Sequence, residues 1–104
     1  MKMTNSNISW LTAESIPSLW GVSIFDVTDD NDKKDFESWK EHWNAYRNLT
    51  GLEYEPPETQ VSVLKFCMAV STLKVINNFD LNAAQKKHPD GILKALTSYI
   101  RRLS

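Results

Sequence analysis

The chain has 104 residues, 41% hydrophobic and 11% aromatic, with four Trp, one Cys and a formal net charge of −1. This length supports one domain around one core; the aromatic content excludes a disordered tail, and three Gly with four Pro exclude collagen-like and linker compositions. A single Cys excludes an internal disulfide framework and a Cys-rich zinc site, so a reducing, cytoplasmic compartment is expected.

Residues 1–31 open with Lys2 but hold no unbroken apolar stretch, so no signal peptide is expected. No apolar run approaches the roughly 20 residues that span a bilayer, and no membrane partner is expected. This segment has no sustained helical period. Trp10, Leu11, Ile16, Leu19, Trp20, Val22, Ile24, Phe25 and Val27 are too many large apolar groups for a free tail, and Pro17 and Gly21 interrupt them. An extended N-terminal arm is expected over 1–31, with one short helical turn near 12–20. It docks either on its own domain or on a partner, through Trp10, Leu11, Ile16, Leu19, Trp20, Ile24 and Phe25.

A helical domain is expected over 32–104. Asp32 is the expected N-cap, and the acids around it suit the positive end of a helix dipole. Phe36, Trp39, Trp43, Tyr46 and Thr50 then recur at spacings of 3, 4, 3 and 4, one stripe of a helix. Gly51 fits the left-handed position that ends it, so helix one is expected over 33–49. Glu53 to Pro57 reads as a loop, with Pro57 in a first helical turn. Helix two is expected at about 58–69, with Val61, Leu64, Cys67 and Met68 inward and Phe66 on the flank. Ser71 or Thr72 caps helix three, about 72–79, with Leu73, Ile76 and Phe79 inward. A connector with one short turn at 82–87 leads to Asp90, the expected cap of the last helix, about 91–103. Ile92, Leu93, Leu96 and Ile100 face its inner side. The fold class is therefore all-α, a compact bundle of four or five short helices.

Chemistry-bearing patterns are sparse. The isolated glycines form no nucleotide loop. His42 and His88 have no metal-ligand partner at helical spacing and read as surface groups. Cys67 reads as a small buried hydrophobe. Capping explains the clustered carboxylates. No enzyme activity, cofactor or metal is expected. Lys86-Lys87 and Arg101-Arg102 are too few for the phosphate contacts of tight nucleic-acid binding, so direct nucleic-acid binding is expected to be weak or absent. Charge is nonetheless uneven. Residues 1–60 hold five bases against eleven acids, a net −6, and residues 61–104 hold seven bases against two acids, a net +5. The halves either neutralise each other inside the fold or let copies meet head to tail.

The run Phe36-x-x-Trp39-x-x-x-Trp43-x-x-Tyr46-x-x-x-Thr50-Gly51-Leu52 resembles the opening of the Gag capsid domain of gypsy-type long-terminal-repeat retrotransposons. Gln60–Cys67, Leu73–Phe79 and Asp90–Tyr99 are similar to that family's next helices, in order and spacing, so the likeness covers about 36–100. It implies a retroviral-type capsid N-terminal lobe, from a retrotransposon or a domesticated relative. Its core would be Phe36, Trp39, Trp43, Tyr46, Leu64, Met68, Leu73, Ile76, Phe79, Ile92 and Leu96. Implied partners are other copies of the chain, a C-terminal capsid lobe and a hydrophobic peptide held in a groove. Release in capsid-like particles is implied as well. The alternatives within the resemblance are a peptide-binding adaptor and a free lobe that interferes with Gag assembly. Ala69 and Thr72 depart from the Gly and Ala usual at the family's break, so helices two and three are expected to be nearly continuous. The family's second lobe and CCHC knuckle have no counterpart in these residues, so the chain looks like an isolated N-terminal lobe.

Overall fold

The computed structural model describes residues 22–103. Its first helix, α1 (Asp30–Lys34), starts where the Asp29 carboxylate accepts from the Asp32 N–H at 3.0 Å. The expected cap, Asp32, already lies inside this helix, and its own carboxylate accepts from the Asp26 N–H at 2.9 Å. Several aspartates here can cap, and the one whose backbone is extended takes the role. Asp35 leaves helical geometry and separates α1 from α2 (Phe36–Thr50), so the single helix expected over 33–49 is two.

Gly51, at φ 80°, ends α2 in the left-handed conformation that costs glycine little. A 3-10 turn, Leu52–Tyr54, then folds Leu52 fully inward. Pro57 opens α3 (Pro57–Phe66), where its missing N–H is harmless. The chain goes on through α4 (Val70–Asn77), α5 (Ala83–Lys86) and α6 (Pro89–Leu103). A reciprocal pair of hydrogen bonds between Asn82 and Gln85 caps α5. Pro89 is the first residue of α6, so Asp90 sits in the first turn rather than at the cap.

The break between α3 and α4 is the largest departure from expectation. α3 stops at Phe66, not near 69, and α4 begins at Val70, not 72. Cys67, Met68 and Ala69 leave the helix because Met68 forms an isolated parallel β-bridge with Phe25. The two helices are not continuous. Among the described residues this bridge is the only β pairing, and the fold is all-α.

The α2 stripe supplies the largest side chains of the core. Phe36, Trp39, Trp43 and Tyr46 are all buried, and their rings follow one another at 6.0–6.4 Å between centroids. Such rings bury 150–250 Å² each, roughly, so one helix carries much of the hydrophobic stabilisation. Leu64, Met68, Ile76, Ile92 and Leu96 close over them, with Val61, Val63 and Leu93. Leu73, Phe79 and Ile100, expected inward, are half-buried and pack against the margin of the core; Phe79 packs on Tyr99 at 5.8 Å.

Gly91 marks the crossing of α5 and α6. A Cβ there would lie 2.5 Å from the Gln85 carbonyl oxygen, which is backbone and cannot swing aside. Gly91→Ala is expected to destabilise the fold by about 1–3 kcal/mol, through forced separation of two packed helices. Gly51→Ala, with open space around it, is expected to cost about 1 kcal/mol through backbone strain alone. Urea unfolding of both variants checks the order.

Candidate functional site

Residues 22–28 form a strap, non-helical to Asp26 and ending in a turn at Val27 and Thr28, laid into a groove between α2 and the α3–α4 break. Hydrophobic anchors fix it first. Val22, Phe25 and Val27 are almost wholly buried, whereas Ile24 points outward. The Phe25 ring extends the aromatic row of α2, 4.6 Å from Phe36 and 5.7 Å from Trp39.

An extended backbone buried among helices has no neighbouring strands, so its polar groups need other partners. The groove supplies them. The Trp39 indole Nε1 donates to the Ser23 carbonyl at 2.7 Å. The Phe25 N–H donates to the Cys67 carbonyl at 2.8 Å, and the Ala69 N–H donates to the Phe25 carbonyl at 2.9 Å. Thr72, with no exposed surface, does two jobs. Its hydroxyl donates to the Phe25 carbonyl at 2.9 Å and accepts from the Val27 N–H at 2.8 Å. Ser71 and Thr72 are therefore not caps of α4. Ala69 holds that position without a side-chain bond, and both hydroxyls turn to the strap.

Asp26 secures the exposed edge. Its Oδ1 accepts from the Thr28 hydroxyl at 2.6 Å, the Ser71 hydroxyl at 2.7 Å and the Thr28 N–H at 2.9 Å. The Thr28 hydroxyl first, then Ser71, hold its carboxyl below the ordinary value of 3.8.

A second polar cluster lies under α2. The Arg47 guanidinium sits 5.8 Å from the Trp43 ring and donates to Gln60 Oε1 at 3.0 Å and Asn44 Oδ1 at 2.7 Å. Gln60, itself buried, donates to the Glu53 and Glu55 carbonyls and so ties α3 to the loop before it. Trp43 Nε1 and Arg47 Nε find no hydrogen-bond partner among the described residues. Nearby, Lys40 donates to the Thr97 hydroxyl at 2.9 Å and joins α2 to α6.

Other candidate groups are inert or dispersed. Burial pushes the Cys67 thiol up to about 12, and its Sγ donates to the Val63 carbonyl. Such a thiol stays neutral and is a poor nucleophile. Burial, with Cys67 beside it, likewise lifts Tyr46 to about 12. His42 and His88 are exposed. Among the described residues no three His, Cys, Asp or Glu side chains gather where a metal could bind, and no helix is long and apolar enough to cross a membrane.

Of the arm residues expected to make contacts, the structure places Phe25 in the core and Ile24 on the surface. Trp10, Leu11, Ile16, Leu19 and Trp20, and the turn expected near 12–20, lie outside the described residues. Sequence reasoning missed Thr72 and Gln60 as buried polar groups. The only available signal for Thr72 was its place opposite an apolar arm at a helix break. Compared with known proteins, the chain matches no family model, no curated protein and no solved structure.

Thr72→Val keeps the shape of the side chain but orphans the Val27 N–H. It is expected to lower stability by about 1–3 kcal/mol, read by urea unfolding. The pH dependence has two arms. Asp26, depressed in the fold, contributes stability that is present above about pH 3.8 and lost as pH falls through its lower folded value. Asp26→Asn is expected to flatten that acid limb. Cys67 and Tyr46 are raised, so their contribution is complete below about pH 9 and is lost as pH climbs toward about 12, because the unfolded chain ionises first. Urea midpoints measured from acid to alkaline pH check both signs.

Proposed function

We propose that the chain is a self-association module, the N-terminal lobe of a Gag-type capsid protein from a gypsy-type retrotransposon or a domesticated relative. It builds particles through helix–helix and charge-complementary contacts and performs no catalysis. The order of the helices and the aromatic stripe of α2 support the family reading. The separation of charge over the fold supports the association.

Lys74, Lys86, Lys94, Arg101 and Arg102 give α4 to α6 a basic excess, whereas α1 and α2 hold as many bases as acids and the acidic excess of the described residues lies in the loops, at Asp26, Asp29, Asp35, Glu53 and Glu55. Folding does little to cancel this. Lys33–Asp30 at 3.2 Å and Lys40–Glu37 at 2.9 Å are pairs within single helices. Arg47–Asp90, at 3.7 Å, does join the two halves. It pairs a base of the acidic half with an acid of the basic half, and so leaves the excess of each intact. Acidic loops and basic helices on one chain favour a heterologous, head-to-tail contact, which closes into rings or continues as open filaments.

The strap favours one further reading. A groove that holds an extended backbone through side-chain hydrogen bonds is suited to a peptide-binding adaptor. Here residues 22–28 already fill it, so a partner peptide would have to displace them.

Light scattering of the chain over a concentration series tests the first reading. Mass is expected to rise with concentration at low salt and to fall back as salt screens the charges, whose range shrinks to about 3 Å at 1 M. Lys94→Glu with Arg102→Glu is expected to weaken association, and mixing that variant with Glu37→Lys, Glu41→Lys chains to restore it. A chain that stays monomeric at high concentration, alone and fused to a C-terminal capsid lobe, and makes no particles overturns the proposal.

A further inference from the structure

One turn of the chain carries an exposed aromatic ring between two acids. Tyr54, at the end of the 3-10 turn, is 84% exposed, and Glu53 and Glu55 flank it in the chain. The turn is held firmly. Leu52 is fully buried, and its carbonyl accepts from the Glu55 N–H at 2.9 Å. The buried Gln60 donates to the Glu53 and Glu55 carbonyls at 3.3 and 2.9 Å, and Asn48 donates to the Glu53 carboxylate at 2.9 Å. The ring therefore stands on a fixed base, and little order has to be gained when something binds it. A recess of about 160 Å³ lies elsewhere, where the ends of α3 and α4 meet α5 and the start of α6. Ile76, Leu81 and Ile92 line it with Asn77, and the exposed Lys65 and Lys86 complete the lining. Neither lysine has a carboxylate partner among the described residues.

We infer that the Tyr54 turn of one copy docks into this recess on a second copy. The inference rests on the self-association proposed above and names its contact. Size matches, since a cavity of roughly 150 Å³ takes a benzene-sized ring. Polarity matches as well: the ring meets Ile76, Leu81 and Ile92, and Glu53 and Glu55 meet Lys65 and Lys86. Asp80 and Lys87, the charged chain neighbours of Leu81 and Lys86, offset each other and leave the two lysines in excess. The chain cannot fill its own recess. The turn precedes α3 and Lys65 lies near the far end of that helix, ten residues long, or about 15 Å at 1.5 Å per residue. A side chain anchored at the near end does not reach so far. Ring and recess are different surfaces, so the contact is heterologous and repeats from copy to copy. One ring buries roughly 150–250 Å², well below the roughly 800 Å² per partner of a stable interface. Each contact is therefore weak and gains strength through repetition.

Sedimentation equilibrium of the full-length chain over a wide concentration range tests it. Tyr54→Ser is expected to raise the dissociation constant by about tenfold or more, as loss of a central aromatic anchor does. Tyr54→Phe keeps the ring and is expected to associate like the parent. Because Tyr54 is exposed, both variants are expected to keep the parent's urea midpoint. Lys65→Glu with Lys86→Glu is expected to weaken association, and so is Glu53→Lys with Glu55→Lys. Mixing these two variants is expected to restore it, since every acidic surface again meets a basic one. Association that either Tyr54→Ser or the lysine variant leaves unchanged overturns the inference and leaves self-association standing. A parent that stays monomeric throughout overturns both, because a second copy is then not the occupant.

Discussion

A backbone that is neither helical nor part of a sheet must still satisfy its N–H and C=O groups once it is buried. That constraint organises this molecule. The strap at 22–28 buries Val22, Phe25 and Val27 in a helical protein while Ser23, Ile24 and Thr28 stay exposed, and side chains and helix ends on three elements are arranged to receive it. Trp39 of α2 takes Ser23, the carbonyl and N–H freed by the α3–α4 break take Phe25, and Thr72 of α4 takes Phe25 and Val27. The break is therefore a consequence of the strap. Cys67 to Ala69 leave the helix because their backbone groups are needed elsewhere.

The apolar and polar parts of this arrangement depend on one another. Phe25 continues the aromatic row of Phe36 and Trp39, and that packing holds the strap backbone within reach of Thr72. A threonine in that place would be a liability without the strap, since an unpaired buried hydroxyl carries its full desolvation penalty. With the strap, it fixes register. A slip of one residue along the groove would expose Phe25 and leave the Thr72 hydroxyl opposite the wrong atoms. The same logic links Arg47 and Gln60, which tie α2, α3 and the intervening loop through side-chain bonds.

The aromatic stripe was plain in the sequence because large apolar groups at spacings of 3 and 4 have one helical explanation. Gly51 and Pro57 were equally plain, since backbone conformation restricts where each is comfortable. The start of the first helix was not. Asp29, Asp30, Asp32 and Asp35 all have capping side chains, and the choice among them depends on how the strap enters, a long-range fact. Ser71 and Thr72 misled for a similar reason. A hydroxyl at a helix start is ordinarily a cap, and its alternative partners lie 45 and more residues away in the chain. Leu73 and Phe79 were placed on the right face but not at the right depth, because the helix period reports direction and not distance from the centre. Of the candidate site, Phe25 was legible as an apolar group in need of a dock, and its dock was not.

The functional reading follows from what the strap leaves over. It closes the groove from within, so the charge that the proposed association would use lies elsewhere, on the bases of α4 to α6 and the acids of the loops. A docked strap holds α2 and the α3–α4 break fixed relative to one another, which the proposed assembly role would require. The most direct measurement is native-state hydrogen exchange at the Val27 and Ala69 amides. If the strap is integral to the fold, both exchange only through global unfolding, with a free energy equal to that from urea denaturation. If either exchanges through a local opening at much lower free energy, the strap is an accessory and the account is wrong.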